Sequence, residues 1–254
     1  MPVADTACTI SYVLPLRRWR HEPDDELAGY LRRLAERADV IVVDGSDEAV
    51  FAAHARDFAA PVRHLPVDAG LPGRHGKVHG VITGVRAARH ERVVVADDDV
   101  RYDDGALERV ARLLDEADLV RPQNYFDPLP WHARWDTARS LLNRALAADY
   151  PGTLGLRRSR FLAAGGYDAE CLFENLELIR TIEAAGGKVV APLDLYVRRR
   201  PATAHQFWSQ RVRQAYDDFA LPARMAVELA VLPATVALLA RRRAPVVAAG
   251  AALT

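Results

Sequence analysis

Arg92-Val93-Val94-Val95-Ala96-Asp97-Asp98-Asp99-Val100 is an apolar, β-branched run that ends abruptly in three consecutive carboxylates. Its length and composition, with the turn residues Tyr102-Asp103-Asp104-Gly105 behind it, predict a buried strand of a parallel sheet. Ligands of open α/β sheets collect beyond the carboxyl ends of the strands, which is where Asp97 and Asp99 fall. Three like charges repel one another, so the arrangement calls for a positive partner. Hard oxygen ligands at such a place suit Mg2+ or Mn2+, which bridge to substrate phosphates. The alternative is an acidic loop, or a helix N-cap ahead of Gly105-Ala106-Leu107-Glu108.

Upstream, Thr9 to Leu16 reads as a first strand and is interrupted by Pro15 and the arginines that follow. Leu27, Tyr30, Leu31 and Leu34 recur at helical spacing, and Val40 to Val43 is a second apolar strand, which completes a βαβ unit. That strand also ends in an acid and a turn, Asp44-Gly45-Ser46-Asp47, before a helix over 48–58. A carboxylate placed there can bond a ribose or a base edge, or it can simply serve the turn. Val62 to Val67 is a third strand. After it, Asp68-Ala69-Gly70-Leu71-Pro72-Gly73-Arg74-His75-Gly76-Lys77 forms a loop rich in glycine and proline that ends in cations. It leads into a helix that buries Val78, Val81, Ile82 and Val85. Backbone N–H groups at that helix start, joined by Arg74 and Lys77, would seat a diphosphate; an ordinary solvated loop is the competing reading. A Walker A loop is excluded, because no Ser or Thr follows Lys77 and the upstream spacing is wrong.

Downstream, the pattern predicts an amphipathic helix over 106–117 and a strand starting at Leu119. A helix over 131–148 is expected to bury Trp135, Ala138, Leu142 and Leu146. Pro151 to Gly155 leads into a strand, and Gly165-Gly166-Tyr167-Asp168 makes a turn. A helix from Phe173 is stopped by Gly186-Gly187, and Val189 to Val197 is a last strand.

The chain has 254 residues, half of them hydrophobic and 27% charged, with a formal net charge of zero. That is enough to bury a sizeable core, and it lacks the basic excess of a nucleic-acid-binding domain. Cys8 and Cys171 suggest neither a disulfide framework nor a zinc site, so a reducing, cytoplasmic setting is expected. The stretch Ile10 to Leu16 is short, contains Pro15 and runs into Arg17-Arg18-Trp19-Arg20, unlike a signal peptide. The only lysines are Lys77 and Lys188.

In order, the chain carries a strand ending in proline, Val42-Val43-Asp44-Gly45-Ser46, a Gly76-Lys77 helix start, the aspartate-rich strand end, Gly165-Gly166-Tyr167-Asp168 and Glu174-Asn175-Leu176-Glu177-Leu178. This succession, over residues 8–215, resembles a family 2 glycosyltransferase of the GT-A fold. The resemblance implies an α/β architecture, a Rossmann-like, mostly parallel sheet flanked by helices. It also implies a metal-dependent transferase that moves a sugar from a nucleotide diphosphate sugar, in first place a UDP-sugar, to an acceptor hydroxyl. Pro15 would lie in the loop beside the nucleotide, Asp44 on the uracil or ribose, and Lys77 and Asp98 on the donor side. Asp97 and Asp99 match the DxD motif that holds Mn2+ or Mg2+ against the diphosphate, where a divalent ion stabilises the leaving group's charge. His205 is a further metal or diphosphate candidate, its alternative being a surface histidine after Arg198-Arg199-Arg200-Pro201.

Two departures from the family pattern bear on mechanism. Inverting members use the second residue of a Glu-Asp pair as general base, and here the pair is Glu174-Asn175. An amide cannot accept the proton, which leaves Glu174 as the expected base; the alternatives are retention of configuration and an inactive site. Gln210-Arg211-Val212-Arg213-Gln214 resembles the QxxRW motif with Gln214 in place of tryptophan. Gln210, Arg213 and Asn175 are assigned to the acceptor and diphosphate side. The rival readings are a sugar-phosphate nucleotidyltransferase and a nucleotide-sugar-binding module without catalysis. The former is disfavoured because Leu14-Pro15-Leu16-Arg17 stands where its Gly-rich loop would be.

The resemblance implies a GT-A domain, 1–220, and hydropathy sets apart an apolar C-terminal helical segment, 221–254. In the latter, Met225 to Ala240 is followed by Arg241-Arg242-Arg243 and a second apolar stretch. Neither piece reaches the roughly twenty apolar residues of a membrane span. An interfacial helix at the inner face of the cell membrane, serving a lipid-linked acceptor, competes with a terminal helix packed on the catalytic domain and a sugar or small-molecule acceptor.

Overall fold

In the computed structural model, which describes residues 9–146, 151–171, 173–217 and 222–240, apolar runs form strands and the amphipathic stretches between them form helices. The first half alternates β1 (Ile10–Leu16), α1 (Asp25–Leu34), β2 (Asp39–Asp44), α2 (Glu48–Asp57), β3 (Arg63–Pro66), α3 (Gly76–Ala87) and β4 (Arg92–Ala96). There follow β5 (Val100–Arg101), α4 (Asp104–Leu113), β6 (Leu119–Val120), β7 (Gln123–Phe126), α5 (Trp131–Leu146) and β8 (Thr153–Arg157). The chain continues through α6 (Arg158–Ala163), α7 (Glu174–Ala184), β9 (Val189–Val190), β10 (Tyr196–Arg199), α8 (Ala204–Asp217) and α9 (Pro222–Ala240). Helices α1, α2 and α4 begin on Asp24, Asp47 and Asp103, whose carboxylates accept the backbone N–H of Leu27, Val50 and Ala106. Each cap satisfies a donor that the first helical turn leaves open.

The main sheet has the order β3-β2-β1-β4-β8-β6-β9. Strands β3, β2, β1 and β4 are parallel, β8 runs antiparallel to both β4 and β6, and β9 is parallel to β6. The single strand expected over 189–197 is interrupted. A turn at Pro192, whose carbonyl accepts the Leu195 N–H, separates β9 from β10. Proline cannot donate to a ladder, so the strand ends there. Strand β10 pairs instead with β5, antiparallel, with Arg198 opposite Arg101 and Arg199 opposite Val100.

One face of the sheet packs Ile10, Tyr12 and Leu14 with Leu27 and Leu31 of α1 and Leu107 and Val110 of α4. The other face meets α3 at unusually short range. A Cβ on Gly80 would lie 2.9 Å from Pro15 Cβ, and one on Gly84 would overlap the Val13 side chain. These two glycines, four apart on one helix face, let α3 lie directly on β1 and set its N-terminus, with Lys77, at the carboxyl ends of the strands.

The described residues fall into two units: those of 1–123 and 151–199, and those of 124–150 and 200–254. In the second unit Trp131 and His132 of α5 meet Phe207 of α8, with ring centroids 5.4 and 5.6 Å apart, and Arg211 pairs with Asp136 at 2.6 Å. The apolar face expected of α5 is corrected in part. Trp135 is 55% exposed, while His132, Ala133 and Asn143 are buried, because α5 turns toward α8 the face that carries His132. The Leu146 side chain lies outside the described residues. Among the described residues no helix is long and apolar enough to cross a membrane.

Candidate functional site

The acidic triplet forms a tight turn at the carboxyl end of β4. Asp97 N–H donates to the Gly152 carbonyl at 2.8 Å, and Val100 N–H donates back to the Asp97 carbonyl at 3.1 Å. The buried Arg101 guanidinium caps the turn from below, donating to the carbonyls of Asp98 and Val100 at 2.8 and 2.7 Å while its Nε reaches Glu26 at 3.0 Å. Tyr102 N–H donates to the Tyr30 hydroxyl at 3.0 Å, and Thr153 Oγ1 donates to the Val95 carbonyl at 2.7 Å. Together these bonds tie the turn and its flanks to several elements, so the aspartates are held with little freedom.

The carboxylates meet cations from three other segments of the chain. Lys77 Nζ, at the start of α3, lies 2.6 Å from Asp97 Oδ1 and 2.6 Å from Glu174 Oε1, joining the turn to α7. Arg199, the last residue of β10, places Nε 2.7 Å from Asp99 Oδ2 and Nη2 3.7 Å from Asp97 Oδ2. Arg18, just past β1, donates to Asp98 Oδ2 at 2.6 Å. Burial works against charge on Glu174 and Lys77, yet their attraction prevails. The Glu174 carboxyl is lowered to about 2, and the Lys77 ammonium is held above its usual range, with Asp97 contributing most. Asp99 behaves differently: burial pushes it up, Arg199 pulls against this, and the charges of Asp97 and Asp98 add to the rise.

Divalent-metal chemistry can be tested against this geometry. Asp99 Oδ1 is buried and has no hydrogen-bond partner among the described residues, an expensive state for a carboxylate oxygen. Among the described residues no group of three His, Cys, Asp or Glu side chains could hold a metal by itself. A hard cation held by one or two carboxylates, with phosphate oxygens and water completing its shell, is how Mg2+ commonly binds. Asp97 and Asp99 fit that mode.

The loop before α3 and the Gly165-Gly166-Tyr167-Asp168 turn, far apart in sequence, are joined here. Backbone N–H groups of Arg74 and His75 donate to the Ala169 carbonyl at 3.3 and 3.0 Å. Gly73 has φ +92°, and a Cβ on it would fall 2.5 Å from Ala169 Cβ, so both its conformation and its space demand glycine.

Asp44, which the resemblance assigns to the uracil or ribose, lies at the end of β2. Its side chain has no exposed surface. Oδ1 accepts Ser46 N–H at 2.9 Å, while Oδ2 meets His54 Nδ1 at 2.7 Å and His64 Nε2 at 3.1 Å. Burial raises its pKa, but the bonds from His64, Ser46 and His54 outweigh this and keep it well below the carboxylate range. Both oxygens are thus engaged, and the carboxylate shapes the Gly45-Ser46 turn. Pro15 lies in β1 opposite Val43, under Gly80. Asn175 Nδ2 donates to the Pro151 carbonyl at 3.1 Å, which fastens α7 to the segment carrying Gly152. His205 and Gln210 lie on α8 in the second unit, His205 exposed and Gln210 half-buried. The Arg213 side chain and Gln214's lie outside the described residues.

Arg199, Arg18 and Arg101 escaped the sequence reading. Arg199 sat inside a run of arginines that reads as solvated surface, and only the β5–β10 register brings it to the aspartates.

Residues 35–217, well over half of the chain, match the family model described as glycosyltransferase like family 2. No curated protein sequence matches the chain. Among solved structures, a mannosyltransferase from Pyrobaculum calidifontis in complex with GDP-Man and Mn2+ is 17% identical with a TM-score of 0.57, over 82% of this chain and 61% of that one. This chain thus spans less than two thirds of that protein. Mannosyl-3-phosphoglycerate synthase from Rubrobacter xylanophilus is 15% identical, TM-score 0.51, over 82% and 72%. Glucosyl-3-phosphoglycerate synthase from Mycobacterium tuberculosis, in complex with Mn2+, UDP and phosphoglyceric acid, is 19% identical, TM-score 0.50, over 78% and 72%. At these identities the likeness concerns the fold. With a mostly parallel sheet, an acidic turn at its carboxyl edge and a family match over most of its length, the chain belongs to the family 2-like glycosyltransferases of the GT-A fold.

Proposed function

We propose that the protein transfers a sugar from a nucleoside diphosphate sugar, a UDP-sugar in first place, to an acceptor hydroxyl, with Mn2+ or Mg2+ held by Asp97 and Asp99. The observation that carries this reading is the acidic turn at the end of β4, ringed by Lys77, Arg199 and Arg18, with one buried carboxylate oxygen unsatisfied among the described residues. The complexes of the fold relatives with GDP-Man or UDP and Mn2+ support the same class of donor. The metal would neutralise charge that develops on the departing diphosphate. Lys77, at the N-terminus of α3, supplies a second positive charge for those phosphates, and Arg101 keeps the turn rigid while they bind.

Glu174 is assigned the acceptor's proton. Its ion pair with Lys77 makes it a weak base as the site stands, since a carboxyl lowered to about 2 holds a proton poorly. Drawing the Lys77 ammonium toward donor phosphates restores its basicity, so that base strength arrives with the donor. A base on the acceptor side goes with inversion at the anomeric carbon. Asn175 positions α7 and takes no proton.

The acceptor is a sugar, a small molecule or a lipid-linked hydroxyl. The last of these is favoured by α9, which exposes Val227, Leu229, Leu232, Val236 and Leu239 and is followed in sequence by Arg241-Arg242-Arg243. An apolar helix with cations at its end suits the surface of an anionic bilayer.

The test is transfer, read by mass and by proton NMR of the product anomer, from a panel of UDP-, GDP- and TDP-sugars to sugar, phosphorylated small-molecule and polyprenyl-phosphate acceptors with Mn2+. Transfer from one donor, lost in Asp97→Ala, supports the reading. Pyrophosphate release from a nucleoside triphosphate, without sugar transfer, would replace it with a nucleotidyltransferase. Donor binding without transfer or donor hydrolysis would leave a binding module.

A further inference from the structure

Arg199 has no role in the donor-side assignments, yet it bonds Asp99 directly. Its backbone is fixed by pairing with Val100, one residue past the acidic turn. Its guanidinium spans Asp99 and Asp97, at 2.7 and 3.7 Å. The wall beside it is bare of side chain: a Cβ on Gly152 would stand 2.8 Å from Asp97 Oδ2 and 3.1 Å from Arg199 Cζ. The guanidinium and the two carboxylates therefore fill a space that excludes any other side chain at that point.

We propose that Arg199 is a built-in counter-ion that occupies the charge position of the divalent cation in the free protein and makes metal binding conditional on a nucleoside diphosphate. This inference rests on the donor-site reading above. Its logic is charge balance. Asp97, Asp98, Asp99 and Glu174 already face Lys77, Arg199 and Arg18, so a bare divalent ion entering the turn must draw two carboxylates away from a guanidinium that they already neutralise. When the ion arrives with a diphosphate, the displaced guanidinium gains phosphate oxygens, which suit its planar fork. Metal and nucleotide then bind with positive coupling, and Arg199 carries much of it.

The test is titration of Mn2+ followed by the paramagnetic signal of the free ion, on the native protein, Arg199→Gln and Arg199→Lys, without nucleotide and with UDP or GDP. Arg199→Gln should bind Mn2+ alone about tenfold or more tightly than the native protein, and the tightening of Mn2+ by nucleotide should shrink by a similar factor. Arg199→Lys should fall between, and it stands in if the glutamine variant does not fold. Without nucleotide, Mn2+ should also raise the melting temperature of Arg199→Gln more than that of the native protein. Unchanged or weaker binding of Mn2+ alone by both variants, with nucleotide-dependent Mn2+ binding intact in the native protein, overturns the inference and leaves the donor site standing. Absence of Mn2+ binding in every form with either nucleotide overturns the donor site and this inference with it.

Discussion

Glu174→Gln isolates the ion pair that links α7 to the acidic turn. The substitution keeps the shape of the side chain and one acceptor oxygen for Lys77, while it removes the charge and turns the other oxygen into an NH2 donor; Asp97 lies 2.6 Å from the same ammonium. The Glu174 carboxyl is mostly buried, and that burial is overcome by Lys77, so that it titrates at about 2 in place of the usual 4.5. A depressed carboxylate contributes stability that is fully present above its unfolded pKa and is lost as the pH falls through the folded value. The gap corresponds to about 3 kcal/mol at neutral pH. Urea unfolding of the metal-free native protein and of Glu174→Gln, at neutral pH and at a series of acidic values, measures it. The native protein should lead by about 2–3 kcal/mol at neutral pH, allowing for the acceptor that glutamine retains. That lead should narrow steadily as the pH drops below about 4.5. Equal stability at neutral pH, or a lead that acid does not diminish, would refute the ion pair as the cause of the depressed carboxyl and with it the donor-controlled base.

Two further outcomes follow from local packing, and a third from the buried carboxylate of β2. Gly84→Val drives a side chain into Val13 and should cost about 1–3 kcal/mol or more in urea unfolding; it should also weaken nucleotide binding, because α3 carries Lys77. Gly29→Ala, where a Cβ meets only Arg33 Nη1 at 3.5 Å, should gain up to about 1 kcal/mol, and a loss there would fault the packing argument. Asp44→Asn leaves the buried His54 and His64 without their shared charged acceptor and should cost about 2–3 kcal/mol at neutral pH. The native advantage should fade as acid protonates Asp44, and a cost under about 1 kcal/mol would mean the histidines find other partners.

The β1-α1-β2-α2 succession, α3 and β4 could be read from the chain because their signals are local: helical spacing, β-branched runs and capping aspartates. The acidic turn was legible for the same reason. What escaped depends on pairing between distant segments. An apolar strand carries no mark of direction, so the antiparallel setting of β8 between β4 and β6 could not be foreseen. Pro192 was the available sign that 189–197 breaks, and the placement of Arg199 follows from that break. His54 and His64 lie ten and twenty residues from Asp44, and nothing local says that α2 and β3 would close on one carboxylate. Two histidines on otherwise apolar faces were the one hint that the acid at the end of β2 has partners inside the fold.

Whether Asp97 and Asp99 hold a divalent metal for a nucleoside diphosphate is decided by calorimetric titration of UDP, GDP and TDP, with and without Mn2+, on the native protein and on Asp99→Ala. One nucleotide should bind only when Mn2+ is present, and Asp99→Ala, still folded, should lose this binding. Nucleotide binding indifferent to both Mn2+ and Asp99, or no binding of any of the three, would contradict that assignment.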